Sequence, residues 1–109
     1  MNTFTIINPA TAAPVKEISL VDLAGTDVII DKAAKAFLKW RQVAPADRAK
    51  LLRNFATVID AHIEELAKLE VLNSGHTIGN ARWEAGNVRD VLNYYSATPE
   101  RLFLSLIHI

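Results

Sequence analysis

The stretch PADRAKLLRNFATVIDAHIEELAKLEVLNSG, residues 45–75, decides the fold. Leu51, Leu52, Phe55, Ile59, Ile63, Leu66 and Leu69 or Glu70 recur at spacings near three and four, the pattern of an amphipathic helix. Pro45 suits a first helical position, where its missing N–H is not needed. Asp47 puts a negative charge near the positive helix end. Gly75 is the natural stop, because it adopts the left-handed conformation that closes a helix. The run Asp60-Ala61-His62 leaves open whether this stretch is one helix or two.

Working outward, Ile29, Ala33, Ala36, Phe37 and Trp40 form an apolar stripe on an earlier helix, which the sequence predicts to be capped by Thr26. Asp31 and Lys35 pair on its other side. A later helix is predicted from about Ile78 to Ala97, with Ala81, Ala85, Val88, Val91, Leu92 and Tyr95 on one face and Pro99 barring continuation. Before all of these, Phe4-Thr5-Ile6-Ile7 and Pro14 to Leu20 read as two short strands, joined through a turn at Asn8-Pro9. A lone two-stranded ribbon is marginal in water, so it is expected to lie against something else. The predicted architecture is therefore a β-ribbon followed by three amphipathic helices.

Composition narrows the function. The chain has 109 residues, half of them hydrophobic, with 12 Lys plus Arg against 12 Asp plus Glu. Disorder is excluded by the apolar content, and a neutral chain without a basic run is not a nucleic-acid binder. There is no cysteine, which removes disulfides, zinc–thiolate sites and a cysteine nucleophile from this chain. The N-terminus lacks a basic segment followed by an apolar run, and no apolar stretch approaches the ~20 residues that span a bilayer. No membrane partner and a cytoplasmic location are the expectations.

Candidate chemistry is sparse. Gly25, Gly75, Gly79 and Gly86 make neither a dinucleotide fingerprint nor a phosphate loop. His62, His76 and His108 are far apart, and no ligand pair at familiar spacing singles out a metal site. His62 reads as a solvated helix-face residue. His76 follows Gly75, where a cation interacts well with a helix C-terminus. Glu64 and Glu65 read as a solvated face, with Glu64 beside Lys68. Glu70 falls on the apolar stripe and needs a partner, for which Arg82 or Arg48 is the candidate. Trp40, Trp83, Tyr94 and Tyr95 read as core or interface aromatics rather than a stacking site. No residue is assigned as catalytic, cofactor-binding or metal-binding.

The order of local signals nevertheless resembles a known family. Ile7-Asn8-Pro9-Ala10-Thr11 followed by Val15-Lys16-Glu17-Ile18 is similar to the N-terminal ribbon of the aldehyde dehydrogenase superfamily. Ala33-Ala34-Lys35-Ala36-Phe37 ending in Trp40 resembles its alanine-rich helix. Pro45-Ala46-Asp47-Arg48 with Leu52 resembles a Pro-x-x-Arg-x-x-x-Leu stretch. Glu65-Leu66-Ala67, Glu70 and Asn73-Ser74-Gly75-His76 resemble the family's Glu-Leu-Ala, Glu and Thr-Gly-Lys run, with Ser74 and His76 departing from it. Glu84 and Tyr94-Tyr95-Ser96-Ala97 complete the series, so the resemblance covers about residues 4–103.

The resemblance implies an α/β parent fold, of which this segment is the mainly α beginning. It implies NAD(P)-dependent oxidation of an aldehyde to a carboxylic acid through a thiohemiacetal. In that family a cysteine thiolate attacks the aldehyde, hydride passes to the nicotinamide, and a glutamate-activated water releases the acid. The nucleophile, the base and the cofactor-binding residues all fall downstream of the matched region. NAD or NADP and an aldehyde are thus expected in the intact parent, itself expected to be a homo-oligomer, and no cofactor in this segment. Residues 1–103 are read as an incomplete cofactor-binding domain. Residues 104–109, Leu-Ser-Leu-Ile-His-Ile, resemble translated sequencing adapter and are read as an aberrant tail. The segment alone is expected to be inactive and to leave apolar faces wet. The alternatives are a non-catalytic helical interaction module and a regulatory decoy that inserts into dehydrogenase oligomers.

Overall fold

The computed structural model describes residues 2–101, so His108 and the tail read as aberrant lie outside the described residues. Contacts divide the chain into two units: residues 2–43 with 72–75, and residues 44–71 with 76–101.

In the first unit, β1 (Thr3–Ile7) pairs antiparallel with β2 (Pro14–Ser19). Phe4 faces Ile18 and Ile6 faces Lys16, and the register shifts after Ile6, so that Ile7 meets Pro14. The irregularity falls at the strand start where proline supplies no N–H to the ladder. The connection closes through Asn8, whose N–H donates to the Ala13 carbonyl (2.9 Å). The Asn8 carboxamide oxygen accepts from the Ala10 N–H (2.9 Å), an Asx turn. Ala12 takes φ 57° to complete the loop.

The same unit holds α1 (Leu23–Trp40), which corrects the sequence reading at its start. The cap is Asp22, not Thr26: its carboxylate accepts from the Gly25 N–H (2.8 Å). Thr26 lies one turn inside and donates its hydroxyl to the Asp22 carbonyl (2.9 Å). Gly25 is suited to this first turn, because a Cβ there would stand 2.8 Å from Val21 Cγ1. The stripe on α1 forms as expected but is not a core. None of its residues is buried, and Ile29 and Phe37 remain 56% and 58% exposed.

The long stretch resolves into two helices, α2 (Pro45–Ala61) in the second unit and α3 (Ile63–Ser74), whose residues 72–74 belong to the first. The break is His62, at φ −116° and ψ 13°. Its Nδ1–H donates to the Val58 carbonyl (2.8 Å), so the imidazole ties down the end of α2. Both helices were left possible by the sequence, and the predicted three helices become four long ones. Gly75 ends α3 at φ +78°, as its position required.

The fourth is α4 (Ile78–Ser96), closed by Ala97. Pro99 does not simply end the chain's helical course: it enters the first turn of α5 (Thr98–Arg101), where its absent N–H is tolerated. Helix α4 packs chiefly on α2, and α5 touches both. The buried side chains in this unit are small: Ala49 and Ala56 on α2, Ala67 on α3, and Ala81 and Ala85 on α4, with Gly86 and Ser96. Small residues let helix backbones approach closely, but a methyl-sized group contributes only about 0.8 kcal/mol, against about 1.5–3 kcal/mol for a buried Leu or Phe. Val88, Val91 and Tyr95, expected on the packed face of α4, stay exposed.

Candidate functional site

Helices α3 and α4 carry the charged chemistry of the second unit. Arg82, in the first turns of α4, forms a bidentate pair with Glu64 at the start of α3 (Nε to Oε1 2.7 Å, Nη2 to Oε2 3.0 Å). This hydrogen-bonded guanidinium holds the Glu64 carboxyl below the usual glutamate range and raises its own pKa. Arg89 bridges Asp90 and Asp60, tying α4 to α2, and both contacts raise its pKa.

Glu64 lies near Lys68, as the sequence expects, and the Lys68 charge helps lower its pKa; its hydrogen-bonded partner is Arg82. For Glu70 the sequence proposes Arg82 or Arg48 as the partner. Arg82 is taken by Glu64, because the two helices bring α4's early turns to the start of α3. Arg48 keeps a buried Nε with no hydrogen-bond partner among the described residues.

Glu70 belongs to a cluster that sequence reading did not group. One donor atom each from Glu70, His76 and Glu84 lie within 4.8 Å of one another. His76 Nδ1 stands 3.1 Å from Glu84 Oε2. Glu70 comes from late α3, His76 from the connection after Gly75, and Glu84 from the second turn of α4. The spacings of six and eight residues match no familiar ligand motif, so only the fold brings them together. Beside them a cavity of about 220 Å³ is lined by Leu66, Ala81, Ala85 and Val88, with Glu70 and Glu84 on its wall.

The other candidates stay apart. His62 serves the end of α2 and is exposed, as expected. Among the described residues the aromatics form no stacking platform. Tyr94 and Tyr95 meet edge to face, with centroids 5.1 Å apart, and Trp83 is 70% exposed. Trp40 lines an open apolar trough on α1 with Ala33, Ala36, Phe37 and Val43, a large wet surface rather than a polar reaction site.

The fold and sequence agree with proteins already known. The chain matches the profile of the aldehyde dehydrogenase family over residues 1–107, a range that includes Leu104 to Ile107 of the tail. It is 32% identical over 100 residues to a hydroxyisobutyraldehyde dehydrogenase of Mycolicibacterium austroafricanum, covering 92% of this chain and 20% of that protein. It superposes on an NAD-dependent benzaldehyde dehydrogenase of Corynebacterium glutamicum with a TM-score of 0.89. At 24% identity that likeness speaks for the fold alone; it covers 93% of this chain and 22% of the other. A betaine aldehyde dehydrogenase of Staphylococcus aureus, solved with NAD+, is 29% identical at a TM-score of 0.84, covering 89% of this chain and 20% of its own. The chain thus spans about one fifth of the length of the relatives it matches. By its sequence and by its mainly helical fold with an antiparallel N-terminal ribbon, the chain belongs to the aldehyde dehydrogenase family.

Proposed function

We propose that this chain is the N-terminal structural segment of an NAD(P)-dependent aldehyde dehydrogenase and performs no chemistry by itself. The observation that carries this reading is coverage: nearly the whole chain aligns with about one fifth of each enzyme it resembles. The nucleophile implied by the family is a cysteine, and this sequence has none. The reaction would be oxidation of an aldehyde to its acid, with hydride accepted by NAD or NADP bound to downstream residues. The segment's part would be to supply surface for that downstream chain. The open α1 stripe and the orphaned Arg48 Nε both fit such a role. An apolar face gains by being covered, and a buried guanidinium N–H without an acceptor costs free energy until one arrives.

The test is to read the native gene across the codons for Leu102 to Ile109 in one long molecule. A frame running on for several hundred codons, with a cysteine and a glutamate at the family's catalytic motifs, supports the reading. A stop codon directly after Ile109 removes the enzyme and favours a self-standing interaction module.

A further inference from the structure

We propose that Glu70, His76 and Glu84 form a binding site for one divalent transition ion of the zinc class. The donor set is one imidazole nitrogen and two carboxylate oxygens, a mixture suited to Zn2+ or Co2+. Three donors within 4.8 Å of one another surround a point that each reaches at ion-ligand length by moving inward about 0.7 Å, given bonds of about 2.0–2.1 Å. The His76–Glu84 separation of 3.1 Å is already close to the roughly 3.3 Å between two ligands of a tetrahedral ion. With its proton on Nε2, His76 presents the Nδ1 lone pair to the ion.

One further feature points to a cation. The cavity of about 220 Å³ beside the two glutamates is lined largely by apolar side chains. A low-polarity wall strengthens attraction between the ion and its carboxylates, and the cavity leaves room for a water as fourth ligand. His76 and Glu84 are 43% and 44% exposed, so an ion reaches them from solvent. All three ligands lie within residues 70–84, so the site does not depend on the proposed function or on any downstream chain. The ion would link Glu70 on α3 to Glu84 on α4 within the second unit.

The test is a Co2+ titration of the full 109-residue chain after chelator treatment, followed by visible absorption and far-UV circular dichroism. The expected result is a d–d band that saturates at one ion per chain and is displaced by Zn2+. Zn2+ should also raise the unfolding temperature, reversibly with chelator. Glu84→Gln and Glu70→Gln keep side-chain shape, so they separate ligation from folding. Each, like His76→Ala, should weaken binding by at least about tenfold to a hundredfold, the loss typical even of outer-sphere partners. His62→Ala should leave binding unchanged. Absence of saturable binding to the parent chain overturns the proposal. So does one-to-one binding that survives both His76→Ala and Glu84→Gln, or that His62→Ala abolishes.

Discussion

Helix α1 and the pair α2–α4 begin from the same kind of sequence and end differently. Both carry apolar residues at helical spacing. On α1 the stripe is made of large residues, Ile29, Phe37 and Trp40, and none is buried. On α2 and α4 the buried residues are alanines, a glycine and a serine, flanked by large side chains that stay partly wet. The difference teaches that periodicity reports where a helix is meant to be covered, while residue size reports what covers it. Small residues mark contact between backbones within the segment. Large residues mark faces that a bigger partner would fill, and under the proposed function that partner would be downstream chain.

Three changes break or sharpen this comparison. The largest effect is expected from filling the small-residue seam. Ala56→Leu or Ala81→Leu should cost about 1–3 kcal/mol through overpacking, whereas Phe37→Ser on α1 should stay within about 0.5 kcal/mol and improve solubility. Urea unfolding followed by circular dichroism, with light scattering, measures both. Equal losses at Ala56 and Phe37 would erase the distinction.

Next is Gly75→Val. The residue sits at φ +78°, and a Cβ there would stand 2.9 Å from Pro9 Cγ. The left-handed backbone alone costs a non-glycine residue about 1–2 kcal/mol, so the unfolding midpoint should fall measurably. An unchanged midpoint would mean that the α3 end does not require this conformation.

The smallest effect belongs to the exposed Glu64–Arg82 pair. Arg82 depresses the folded-state pKa of Glu64. Its contribution is therefore present above the ordinary glutamate value and is lost as pH falls through the lowered one. Glu64→Gln should remove a small, salt-sensitive part of the acid dependence and leave neutral-pH stability nearly unchanged. Parallel pH-stability curves for parent and variant, at low and high salt, check the sign.

Much of the fold was legible in the sequence for local reasons. Gly75, Pro45 and the Asn8-Pro9 turn act through their own backbone preferences, so their roles are readable without neighbours. The cap of α1 was not, because Asp22 and Thr26 both qualify as capping residue types and only the observed bond from the Gly25 N–H to Asp22 distinguishes them. The break at His62 was visible only as an option, since the imidazole bond to Val58 is what fixes it. The Glu64–Arg82 pair and the Glu70–His76–Glu84 cluster depend on how α3 and α4 meet, and no spacing rule carries that. The family was legible because it rests on the order of several weak signals rather than on any one.

The most direct test of the central claim, that this segment supplies structure and not chemistry, is a turnover assay. The purified 109-residue chain is incubated with NAD or NADP and a series of aliphatic and aromatic aldehydes, and absorbance of the reduced cofactor is followed. The account predicts no aldehyde-dependent reduction above a heat-denatured control. Steady NADH or NADPH formation that saturates with aldehyde would contradict it and would require a nucleophile other than cysteine within these residues.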